Sequence, residues 1–131
     1  AEAVSAEDRR RAAALATLDE MSDVHLHAWG AQQEEAIVSR YESWRARELS
    51  PYLGRLTGVG AMRGIELINA DGSPASAQLT QLLALARDSG LLLMPSGKSR
   101  HIIRLLAPLT TEATVLEEGL DILEACLKKL A

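Results

Sequence analysis

The stretch Val59-Gly-Ala-Met-Arg-Gly-Ile-Glu-Leu-Ile-Asn69 decides the fold, because here the apolar period changes to two. Val59, Ala61, Arg63, Ile65 and Leu67 share one face, and Gly60, Met62, Gly64, Glu66 and Ile68 share the other. The alternation predicts one strand over 59–69, with two glycines on one face where another element can come close. Asp71-Gly-Ser-Pro74 then reads as a loop. Ser76–Ser89 reads as a helix with Leu79, Leu82, Leu83 and Ala86 on its buried stripe and Gly90 as its stop. Leu91–Met94 is a short apolar strand, Pro95–Arg100 a polar turn, and His101–Ala107 a further strand that Pro108 ends. Thr110 or Thr111 caps a last helix, with Glu112 in its first turn. Its stripe is Leu116, Leu120, Leu123, Leu127 and Leu130.

The order from residue 58 onward is therefore β-α-β-β-α. The short turn makes the last two strands an antiparallel hairpin. Placing the first strand beside the third gives sheet order 1-3-2. Two helices over one face of a small, mostly antiparallel sheet make an α+β fold.

Upstream, Ser5 with Glu7 and Asp8 opens a helix, and the alanine-rich run from Arg11 to Met21 carries it on. The pattern fades over Ser22–Gly30, with Gly30 as a break. A second helix over Gln32–Glu48 shows Ile37, Val38, Tyr41 and Trp44 at spacings of three and four. Ser50–Pro51 interrupts it, and Gly54, Gly58 and Gly60 lead into the new region. The 131 residues thus read as one domain, a helical lead-in over 1–57 and a sheet-and-helix core over 58–131.

Composition narrows the function. A hydrophobic fraction of 47% with 24% charge is that of a globular chain with a packed core. The net charge of −4 and an aromatic fraction of 3% argue against a nucleic-acid partner, which would call for a basic stripe or stacking platforms. No run approaches a membrane span, and no apolar stretch of a secretory signal follows the first residues. The single Cys126 makes no internal disulfide and suggests a reducing, cytoplasmic setting.

Arg104 is the most informative residue. It shares a face with Ile102 and Leu106 on a strongly apolar strand, where an unpaired guanidinium is expensive to bury. It reads either as a charge on the open face paired with an acid such as Glu66, or as a fork for a carboxylate or phosphate. Lys98 and Arg100, with Ser96 and Gly97, form a turn that reads as solvated more readily than as an anion cradle. His25 and His27 lack the further ligands a metal needs, so no metal is expected. Cys126 beside the leucine stripe reads as a buried, inert thiol. The arginines at 9–11, flanked by Glu7 and Asp8, read as a solvated helix face. No Walker loop, dinucleotide fingerprint, nucleophile elbow or zinc motif is present.

Several segments are familiar in combination. Gly58-Val-Gly-Ala-Met-Arg-Gly-Ile-Glu-Leu67 resembles the glycine-rich strand that opens the C-terminal small domain of class III aminotransferases, pyridoxal-phosphate enzymes of the aspartate aminotransferase fold type. Ser89-Gly-Leu-Leu-Leu-Met94 resembles their next strand. His101-Ile-Ile-Arg-Leu-Leu-Ala-Pro-Leu-Thr110 resembles the one after it, and Leu116-Glu-Glu-Gly-Leu-Asp-Ile-Leu-Glu124 the closing helix of the 4-aminobutyrate aminotransferase branch. Ala12–Glu20 is similar to the helix by which that family's chain leaves its large domain. Thr57 stands where the family often has arginine, and the turn Gly97-Lys-Ser-Arg100 is more basic than the family's.

The resemblance implies that Arg104 receives a substrate carboxylate, notably that of glutamate or 2-oxoglutarate. It implies an intact enzyme that uses pyridoxal phosphate to move an amino group from 4-aminobutyrate or a similar ω-amino acid. It also implies that the Schiff-base lysine, the phosphate loop and the cofactor belong to a large domain outside this chain. The chain alone would then bind no cofactor and be inactive, its partners being that large domain and a second copy in a homo-oligomer. A non-catalytic α+β binding or dimerisation module on the same scaffold is the alternative.

Overall fold

The computed structural model describes residues 3–22 and 24–130. Four helices and four strands follow one another as α1 (Ala6–Met21), α2 (Val24–Ala46), β1 (Leu53–Val59), β2 (Met62–Leu67), α3 (Ser76–Asp88), β3 (Met94–Ser96), β4 (Ile102–Leu105) and α4 (Ala113–Leu127). The strands form one sheet in the order β1-β2-β4-β3, every neighbouring pair antiparallel. The expected 1-3-2 order is present as β2-β4-β3, with β1 added at its edge.

That added strand corrects the reading of 59–69 as one strand. The chain reverses at Gly60–Ala61, so Val59 closes β1 and pairs with Met62 at the start of β2. Val59 therefore leaves the face of Ile65 and Leu67. The glycines that led into this region are what the hairpin needs. Gly58 has φ +93°, and a Cβ there would stand 2.3 Å from the carbonyl oxygen of Met62. β1 begins at Leu53, inside the stretch read as helical lead-in.

One face of the sheet is covered. α2 packs on β1, α3 on β2, and α4 bridges α2 and α3. Ile65, Leu67 and Ile103 are sealed beneath them with Leu79, Leu82, Leu120, Leu123 and Leu127. The stripes expected on α3 and α4 are the ones that bury, with Leu83 and Leu116 half-buried at their edges. Cys126 lies in the same core.

Three of the boundaries that differ from expectation have local reasons, and β4 is also shorter than the expected 101–107, while Pro95 and Ser96 belong to β3 rather than to the turn. α2 runs straight through Gly30, because one glycine costs only about 1 kcal/mol against alanine and its neighbours are good helix formers. Leu91–Leu93 is not a strand, since Leu91 is spent on the end of α3. Gly90 at φ +88° lets Gly90 N–H donate to Arg87 O and Leu91 N–H to Ala86 O, a Schellman stop. Pairing starts only at Met94. Neither Thr110 nor Thr111 caps α4; Glu112 occupies the N-cap position, ahead of the helix it was expected to join.

The stripe on α2 is also more deeply used than a free face would be. Trp44 is fully buried, its Nε1 donating to Glu124 of α4 at 2.7 Å. Tyr41 is half-buried and its hydroxyl donates to the Gly54 carbonyl. Arg40 pairs with Glu117 and Asp121, and Arg47 and Lys128 both hold Glu124, so α2 and α4 are clasped by charge as well as packing. α1 has none of this. Ser5 caps it through Asp8 N–H, Glu7 pairs with Arg11, and no residue of it is buried.

Candidate carboxylate site on the open sheet face

The second face of the sheet carries no helix, and Arg104 stands on it. Strand pairing puts Arg104 between Gly64 on β2 and Met94 on β3, with Thr57 of β1 beyond Gly64. Gly64 is tightly hemmed: a Cβ there would lie 2.8 Å from Thr57 Oγ1 and 2.9 Å from Ile102 Cγ2. Those two neighbours already fill the space a side chain would take, which is why the position opposite Arg104 is glycine. Val59, Met62, Met94 and Leu106, all exposed, surround that position with apolar surface. On the far side of Arg104 an apolar hollow of about 280 Å³ opens between β4, the 91–93 segment and α4; Leu105, Leu116, Leu120 and Leu123 line it.

An exposed guanidinium amid apolar side chains is a site for an anion whose charge needs a fork and whose remainder is apolar. The first of the two sequence readings supplied a partner for Arg104 in Glu66. The structure gives Glu66 to Arg55 instead, with Nε at 3.0 Å from one carboxylate oxygen and an outer nitrogen at 3.1 Å from the other. Arg55 thereby holds Glu66 below the usual carboxylate range against the opposing effect of burial. Arg104 makes no hydrogen bond or ion pair among the described residues. Arg63, by contrast, faces the covered side and is fully engaged. It donates to the carbonyls of Gly58 and Gly60 and pairs with Glu34 of α2.

The remaining candidates lie apart from this face. Lys98 and Arg100 are exposed in the β3–β4 turn, Arg100 at φ +49°. His25 and His27 lie in α2, where residues two apart point in different directions, and His25 stacks on Trp29 at 6.1 Å. Among the described residues no cluster of three or more His, Cys, Asp or Glu could hold a metal ion. No helix of theirs is long and apolar enough to cross a membrane. Arg9 and Arg10 are exposed on α1.

The model of the class III aminotransferase family matches residues 5–127. The chain belongs to the class III aminotransferases. A curated relative from Pseudomonas putida KT2440, named 2-aminoadipate transaminase, is 72% identical over 91% of this chain and 29% of its own length. One from Bacillus subtilis 168, named probable 4-aminobutyrate aminotransferase, is 34% identical over 89% of this chain and 27% of its own length. Among solved structures, a PLP-bound amine transaminase from an uncultivated Pseudomonas species superposes with a TM-score of 0.74. It is 26% identical and covers 92% of this chain and 27% of that one. The chain thus spans under a third of the length of the class III aminotransferases it matches.

Pyridoxal phosphate in this family requires a lysine in a dry pocket. The three lysines here are Lys98 in the turn and Lys128 and Lys129 at the end of α4. All three are exposed, and Lys128 is spent on Glu124 at 2.9 Å. These residues do not fit a Schiff base with the cofactor. What the face around Arg104 offers is an exposed guanidinium ringed by apolar side chains. Arg55, which holds the acid expected to pair with Arg104, was not among the residues the sequence singled out. Its signal was Gly54 beside it, which marks a bulge, but without β1 there was no strand to bulge.

Proposed function

We propose that residues 1–131 form the small C-terminal domain of a pyridoxal-phosphate-dependent class III transaminase, and that Arg104 is its substrate-carboxylate residue. The observation that carries this is Arg104 itself, an exposed guanidinium with no partner among the described residues, on the uncovered face of the sheet opposite Gly64. The amino group passes to 2-oxoglutarate. The cofactor, when bound, supplies the electron sink for that transfer. This domain binds and orients one carboxylate and shields it with Met62, Met94 and Leu106. The catalytic lysine and the cofactor's phosphate site lie outside these residues, in a large domain against which the open face packs. The assembled enzyme is a cytoplasmic homo-oligomer, and the 131 residues alone are inactive.

Two amino donors are supported. The 72% identity to a protein named for 2-aminoadipate favours that dicarboxylic amino acid. The 34% relative named for 4-aminobutyrate supports an ω-amino acid as the second reading. Both present a carboxylate that an arginine fork can take. The test is glutamate formation from 2-oxoglutarate by the full-length protein with each donor. Higher kcat/KM with 2-aminoadipate is the expected result. Higher kcat/KM with 4-aminobutyrate selects the second reading, and no transfer from either donor leaves the non-catalytic module in place of both.

A further inference from the structure

Glu66 is the only acidic residue in the four strands, and it sits on Arg104's face. Pairing sets Glu66 opposite Ile102 and Gly64 opposite Arg104, so Glu66 and Arg104 are diagonal neighbours, about 7–8 Å apart at the backbone. Two long side chains close such a gap easily. An unoccupied Glu66 would compete with any substrate carboxylate for the Arg104 guanidinium.

The register of β1 removes that competitor. Leu53 pairs with Leu67 and Leu56 with Ile65, so Gly54 and Arg55 together stand against the single residue Glu66, a bulge. Gly54 makes the bulge possible, since a Cβ there would meet the Glu66 carbonyl oxygen at 2.9 Å. α2 secures this edge: Tyr41 donates to the Gly54 carbonyl and Arg45 to the Leu53 carbonyl. The extra residue aims Arg55 along the open face, where it grips both oxygens of Glu66. Arg55 is 80% exposed and Glu66 15%, so the arginine does little for the core and a great deal for the acid.

We propose that Arg55 is a positioning residue that sequesters Glu66 and so keeps Arg104 open to a substrate carboxylate. The proposal rests on the reading of Arg104 as the carboxylate residue. Arg55 touches no substrate; it acts through Glu66.

Steady-state kinetics of the full-length enzyme test it, with 2-oxoglutarate and with a simple aldehyde as acceptors. Arg55→Ala is expected to raise KM for 2-oxoglutarate about five- to tenfold, as Glu66 turns to Arg104, with kcat within about twofold and the aldehyde unaffected. Arg55→Ala combined with Glu66→Gln is expected to return KM to within about twofold of the parent, because the competitor is then neutral. A crystal structure of Arg55→Ala should show the Glu66 carboxylate within 4 Å of the Arg104 guanidinium. Unchanged KM in Arg55→Ala, a loss the second substitution does not repair, or a Glu66 still turned away from Arg104 overturns the proposal. Arg104→Lys separates the two layers. If it raises KM for 2-oxoglutarate while Arg55→Ala does not, only the sequestration fails; if it leaves KM unchanged, the carboxylate reading itself fails.

Discussion

The two faces of the sheet are made from the same four strands and do opposite work. On the covered face Ile65, Leu67 and Ile103 are sealed beneath α3 and α4, and the one charged side chain that turns that way, Arg63, is held by Gly58, Gly60 and Glu34. On the open face the alternate positions are Thr57, Gly64, Glu66, Arg104 and Met94, a mixture no core would accept. Burial free energy selects the residues of the first face, at roughly 25 cal/mol per Å² of apolar surface. Burial within this chain does not select Arg104 or Met94 on the second face, both of which are exposed, and the proposed function rests there.

The widest gap between the faces is in stability. Ile103→Ala should cost the 131-residue chain about 2–5 kcal/mol, since Ile103 is fully enclosed and its loss leaves a cavity. Met62→Ala, on the other face of the same sheet, should stay within about 0.5 kcal/mol. Urea unfolding followed by far-ultraviolet circular dichroism measures both, and equal midpoint shifts would dissolve the distinction between the faces.

Gly58→Ala tests the hairpin that makes the open face four strands wide. At φ +93°, with a Cβ 2.3 Å from a backbone oxygen, alanine cannot be accommodated without moving the turn. The expected loss is about 1–3 kcal/mol. Amide exchange should rise first in β1. Exchange that stays slow in β1 would mean that the hairpin tolerates the side chain.

A smaller effect concerns the clasp behind the covered face. Arg47, Lys128 and the Trp44 indole together lower Glu124 to about 2 from 4.5. The folded value lies below the unfolded one, so the stabilisation is complete above pH 4.5 and disappears as pH falls from 4.5 towards 2. Arg47 and Lys128 are half-exposed, and solvent screening limits the effect to about 1–2 kcal/mol. Glu124→Gln should flatten that part of the stability–pH profile while keeping an acceptor for Trp44. An unchanged acid limb would place the pH dependence elsewhere.

The smallest effect is expected on α1. Ser5→Ala should cost that helix about 1 kcal/mol locally through its lost cap. Because no residue of α1 is buried, the unfolding midpoint of the rest of the chain should not move. A shift of the midpoint would show that α1 packs on the core after all.

Periodicity made the covered face legible. The stripes of α3 and α4 follow from apolar spacing, and the antiparallel β3–β4 hairpin follows from a short turn. β1 was not legible because its information is carried by glycines. Gly54 and Gly58 act through what a Cβ would strike in β2, which depends on the partner strand and has no local pattern. The same blindness hid Arg55: in sequence it is an isolated arginine near a break, and only the bulge brings it to Glu66. Arg104 was visible because a charge on an apolar strand contradicts its surroundings. Its freedom was not, because the bond between Arg55 and Glu66 that confers it spans eleven residues and a turn.

The claim that Arg104 reads a substrate carboxylate is tested most directly by Arg104→Lys in the full-length enzyme, with steady-state kinetics for 2-oxoglutarate and for a simple aldehyde acceptor. Lysine keeps the charge and loses the fork. The account predicts a loss of about 1.5–3 kcal/mol, or about ten- to a hundredfold in kcat/KM, for 2-oxoglutarate and little change for the aldehyde. Equal losses for both acceptors would show that Arg104 supports the fold and does not read the substrate.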